Sequence, residues 1–153
     1  MATGYYWLVA RDKPGLLIAM MRALSGQACI ALEGDLSHCD FTGLPHIAEG
    51  TVAGVTRASP CTRLDFVILP LETATIRPIL EQVLPKARVV HEIIHIQIVK
   101  HGRPVFGAYD NFHPECILCA PDVPVSLLED RYLRGILRAY FPAERPSTLE
   151  LSL

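Results

Sequence analysis

Asp110, His113, Cys116 and Cys119 stand close together in the run YDNFHPECILC. Imidazole and thiolate are good zinc ligands, and a structural zinc site takes four of them in a tetrahedron. His113, Cys116 and Cys119 supply three at spacings of three and three. A fourth would have to come from His101 or from His38–Cys39, because the chain has no second compact Cys/His pair. Cys116, His113 and Asp110 also have the identities of a nucleophile, its base and an orienting acid. Such sets normally assemble from distant segments, and no oxyanion element accompanies this one. The plain alternative is a turn histidine beside reduced thiols. An odd count of five cysteines without a secretory signal fits that alternative and a cytosolic protein.

Other polar residues have weaker claims. His91 and His95 share a strand face but lie about 13 Å apart at the usual strand rise, too far to hold one metal ion. Glu33 and Asp35 can share a face, and their ordinary role is a solvated strand end. Arg131, Arg134 and Arg138 have the spacing of one helix side, which reads as a solvated face near Glu129 and Asp130. The run FGAYDNFHPE mixes Tyr109 and Phe112 with Asp110, Asn111, His113 and Glu115. Aromatic and polar groups on one loop suit protein recognition. Phe112 as an anchor pinning the loop to the core is the favoured account.

The remaining chemistry lies in RDKPGLL, Arg11 to Leu17. Asp12 is an N-cap type, Pro14 is tolerated in a first helical turn, and Gly15 permits close approach to the backbone. A helix N-terminus carries free N–H groups and a partial positive charge, so a carboxylate docks there readily. Lys13 adds charge. The competing reading is that Asp12 already satisfies those donors.

The elements that must position these residues follow from periodicity. Tyr5–Arg11 reads as a strand and Pro14–Gly26 as a helix, with Leu17, Met20, Met21 and Leu24 on one stripe. Ala28–Leu36 reads as a strand. Residues 37–60 form a long loop or broken hairpin rich in Gly and Pro. Arg63–Leu69 is a strand ended by Pro70, and Thr75–Leu84 a helix, with Pro78 confined to its first turn. Arg88–Lys100 alternates, placing Ile94, Ile96 and Ile98 on one face and His91, Ile93, His95, Gln97 and Val99 on the other. His101–Gly102 is a tight turn before a returning strand, Pro104–Tyr109. A third helix starts near Ser126.

This order predicts one α+β domain over 1–153: a ferredoxin-like βαββαβ antiparallel sheet with helices on one face, core about 4–100, and a C-terminal hairpin strand and helix extension about 101–153. The other sheet face is expected to meet solvent, a second subunit or the extension. The net charge of −2 argues against a nucleic-acid surface, and no apolar run is long enough to span a membrane.

The stretch YYWLVARDKPGLLIAMMRALSGQACIALEGDL resembles the ACT domain, a small regulatory ferredoxin-like domain. Asp12, Pro14, Gly15 and Leu16 match its strand–D-x-P-G–helix signature. The resemblance implies an amino-acid site at Asp12, Lys13, Pro14, Gly15, Leu16 and Leu17, and a homodimer. The leading expectation is therefore a non-catalytic, cytosolic binding protein for a small amino-acid-like ligand, with no cofactor. The rival is a protein-interaction module of the immunity or antitoxin kind, whose contacts would be Asp35, Asp40, Glu49 and the Tyr109–Glu115 loop. A metal-binding or thiol enzyme is the third class.

Overall fold

His101 and Gly102 both take positive φ, 54° and 76°. This is the backbone a two-residue hairpin needs to match strand twist. The computed structural model, which describes residues 4–59 and 64–143, uses that turn to pass its sheet from one half to the other. The elements are β1 (Tyr6–Ala10), α1 (Lys13–Leu24), β2 (Ala28–Gly34), β3 (Asp65–Leu71), α2 (Thr73–Val83), β4 (Ile93–Lys100), β5 (Arg103–Ala108), β6 (Ile117–Cys119), α3 (Val125–Leu133) and β7 (Leu137–Pro142). Among the described residues no helix is long and apolar enough to cross a membrane.

The expected ferredoxin-like arrangement does not form. One seven-stranded sheet runs β3-β2-β4-β5-β6-β1-β7, and every neighbouring pair is antiparallel. β1 and β2, joined by α1, have three strands between them. The supposed extension is no appendage, because β6 and β7 flank β1 and supply its entire ladder. The two halves repeat one plan. β3 and β4, joined by α2, bracket β2; β6 and β7, joined by α3, bracket β1. Periodicity identifies strands, but which strands pair is a non-local matter that local pattern does not carry.

Three element boundaries also move. β3 continues through Pro70, which the outermost strand position tolerates because a missing N–H can face away from the ladder. α2 starts at Thr73, so Pro78 lies past the first turn. A register irregularity opposite Glu33/Gly34 shifts the start of β4. Ile93 therefore joins Ile96 and Ile98 in the main core, and Ile94 does not.

That core unites Leu16, Leu17, Met20, Met21 and Leu24 of α1 with Ile79 and Val83 of α2 and Leu128 of α3, over Leu8, Ile30, Leu32 and Phe106 of the sheet. Each such side chain contributes roughly 1.5–3 kcal/mol on burial. The opposite sheet face is not left open over β3-β2-β4. Ile47, Val52 and Val55 of the long connection cover Cys29, Ala31, Ile68 and Val99 there.

Buried polar groups fasten this cover. Glu33 is 1% exposed, not a solvated strand end, and its carboxylate accepts from the amides of Ala58 (2.7 Å) and Ser59 (3.0 Å). The Gln97 amide donates to the Thr56 carbonyl at 2.7 Å.

Candidate functional site

The Asp12 turn is self-satisfied at its backbone. Asp12 Oδ1 accepts from the Gly15 amide at 3.0 Å, the Asp12 carbonyl accepts from Leu16 N at 2.9 Å, and Pro14 has no N–H. A Cβ at Gly15 would lie 2.5 Å from Asp12 Oδ2. The cap itself therefore requires the glycine. Leu16 and Leu17 are fully buried and belong to the core. Of the six residues expected at this site, Arg11's neighbours Asp12, Lys13 and Pro14 are the ones left to present side chains outward.

Those side chains line a cleft. Arg11, Asp12, Lys13 and Pro14 form one wall, and Ala87, Arg88 and Val89 of the α2–β4 connection form the other, around about 430 Å³. Three cationic residues and one acidic residue therefore line a single space. Lys13 also reaches the β5–β6 turn, where its Nζ donates to the Asn111 carbonyl at 3.0 Å. Beyond that bond a smaller recess of about 60 Å³ continues between Val89, Val90, His91 and Phe112. The strand–turn–helix motif and the aromatic loop, separate in the sequence, thus meet at one place.

The loop is built under strain. Asp110, Asn111 and Phe112 have φ of 50°, 57° and 62°. Left-handed backbone costs roughly 1–2 kcal/mol per non-glycine residue, and three in succession are unusual. Several bonds hold them. Asn111 N donates to the Ile94 carbonyl (2.9 Å), and Asn111 Nδ2 donates to those of His91 (2.7 Å) and Ile93 (3.0 Å). Asp110 N donates to His95 Nδ1 at 3.2 Å, and the His95 and Tyr109 rings lie 5.7 Å apart. Phe112 and Tyr109 are buried, so Phe112 pins the loop and neither ring faces outward. Asp110, His113 and Glu115 are exposed.

The other acidic residues proposed for partner contact are engaged locally. Asp35 accepts from Ser37 N at 3.0 Å, and Asp40 accepts from Thr42 N and Oγ1 at 3.0 and 2.6 Å; these bonds hold both carboxyls below their usual range. Glu49 pairs with Arg57 at 2.8 Å.

Cys116 Sγ lies 4.0 Å from His113 Nδ1 and 4.0 Å from Asp110 Oδ2. Burial, then the charges of Asp110 and Glu115, push its thiol pKa up, the opposite of what an activated nucleophile needs. Cys119 points into the core, and burial raises its pKa to about 12. Among the described residues no group of three or more His, Cys, Asp or Glu is placed to hold a metal ion. Cys61 lies outside the described residues.

Two features escape sequence reasoning. The Ala87–Val89 wall carries no motif. The buried row Glu33, His95, Gln97 was visible only as polar residues at alternating positions in apolar strands. Comparison with protein-family models, with curated proteins and with solved structures gives no match to this chain.

Proposed function

We propose that this chain is a non-catalytic binding protein for a small amino-acid-like carboxylate. The ligand sits in the cleft between Arg11–Pro14 and Ala87–Val89. The observation that carries this reading is the convergence of Arg11, Lys13 and Arg88 on one space with Asp12 beside them. Guanidinium and ammonium groups take a carboxylate by charge-assisted hydrogen bonds, and Asp12 offers a site for an amino group. The helix amides are not needed, because the side chains supply the charge. A thermal-shift series across the twenty amino acids tests this, since a ligand of the native state raises the melting temperature with its concentration over Kd. An Arg88→Glu variant should abolish the shift. No shift with any of them removes the reading.

A second reading, a protein-interaction module, is favoured by a different surface. Leu133 and Tyr132 of α3 are 75% and 48% exposed, and Phe141 of β7 is 47% exposed. β7 is also the last strand of the sheet. Recovery of one stoichiometric partner, lost on Leu133→Asp, would select this reading over the first. The homodimer implied by the family resemblance would use the same edge, and light scattering of the purified protein reports it.

A further inference from the structure

We infer that the ligand carries an apolar chain, so that the cleft takes an amphiphilic carboxylate with its tail laid between α1 and α2. This rests on the reading above and narrows it. The cationic cleft shares Ala87 with a second groove of about 430 Å³. Ile18 of α1, Ile76 and Leu80 of α2, and Leu84, the residue that caps α2, line that groove, all half-buried. Ile76, Leu80 and Leu84 recur every four residues and form one stripe about 12 Å long at the helical rise. Ile18 lies one turn beyond Pro14 on the same face of α1.

Charge decides the occupant. The open end holds Arg11, Lys13 and Arg88 against Asp12 alone. Along the groove, Glu81 is already paired with Arg77 at 3.3 Å, and Arg22 is the other charged residue of the lining. A neutral apolar ligand would leave the three cations with Asp12 as the single counter-charge of the lining. A bare small anion would leave the outer sides of Ile76, Leu80 and Leu84 facing water, their inner sides being packed on the core. A carboxylate that carries an apolar chain satisfies both ends, and an amino group beside the carboxylate would meet Asp12. Ala87, exposed and with φ of 59°, is the residue that the two spaces share.

The test is a titration of the full chain with acetate, butyrate, hexanoate and octanoate, all below micelle formation, with octanol and leucine as controls. Affinity should rise at least tenfold from acetate to octanoate, and octanol should bind at least tenfold more weakly than octanoate. Leu80→Gln should reduce octanoate affinity severalfold and leave the weak acetate response unchanged. Ile76→Gln, at the end of the stripe away from the cationic cleft, should have the same selective effect if Leu80→Gln does not fold. Binding of acetate, leucine and octanoate with equal affinity overturns the amphiphile inference and leaves the carboxylate site standing. Failure of every carboxylate to bind overturns both.

Discussion

Lys13 Nζ donates to the carbonyl of Asn111 at 3.0 Å across 98 positions of sequence. Asn111 is the middle residue of three left-handed ones, so the lysine is tied to a loop whose backbone geometry depends on its own side-chain bonds to His91 and Ile93. Asn111→Gly keeps the backbone preference and loses the two bonds; Asn111→Ala loses both. Chemical denaturation should place Asn111→Ala about 2–3 kcal/mol below the wild type and Asn111→Gly about 1 kcal/mol above Asn111→Ala. Equal stability of the two variants would show that the left-handed turn carries no such strain.

Gly15 and Asp12 form a single device. Asp12→Ala removes the cap and should cost about 1 kcal/mol. Gly15→Ala forces a methyl against the Asp12 carboxylate and should cost a similar amount. Once Asp12 is alanine that clash is gone, and alanine is a better helix former than glycine. The double variant should therefore be at least as stable as Asp12→Ala alone, a non-additivity of about 1 kcal/mol or more. Additive losses in a double-mutant cycle would refute the coupling.

Glu33 fastens the long connection to the sheet through the amides of Ala58 and Ser59. Glu33→Ala leaves those two donors without their acceptor and should cost about 2–4 kcal/mol. Hydrogen exchange should accelerate across residues 47–59 more than in α1. Uniform acceleration would mean that the connection is not held locally by this carboxylate.

The buried thiol of Cys119 sets an alkaline limit. Its folded pKa is raised to about 12 by burial, whereas an unfolded thiol titrates near about 8.5. Between those values the unfolded chain loses a proton that the native chain retains, so stability falls as pH rises through that window. Below it the group makes no pH-dependent contribution. The Cys119→Ala variant starts from a lower stability, since a buried side chain is shortened, but its stability should decline less steeply between pH 9 and 11 (a range set by the thiol reference value). Parallel decline of both proteins would assign the alkaline loss to other groups.

The sequence discloses the parts better than their arrangement. The alternation of Ile96 and Ile98, the α1 stripe and the His101–Gly102 turn are short-range signals, and each element appears where its pattern lies. The Asp12 cap was legible because capping is local chemistry. The sheet order was not, since β1 receives its partners from residues 117–142, and nothing in YWLVA names them. The covering role of residues 47–59 was hidden because Ile47, Val52 and Val55 follow no regular period. Lys13 was singled out for its charge, but Arg88, the cation it faces across the cleft, sits in a connection without a motif.

The carboxylate site is tested most directly by following backbone amide resonances of the labelled protein during titration with an amino acid and with octanoate. Saturable shifts centred on Arg11–Lys13 and Ala87–Val89, lost in Arg88→Glu while the rest of the spectrum is retained, are the predicted result. Shifts that saturate on α3 and β7 instead, or no saturable shift at any residue, would contradict it.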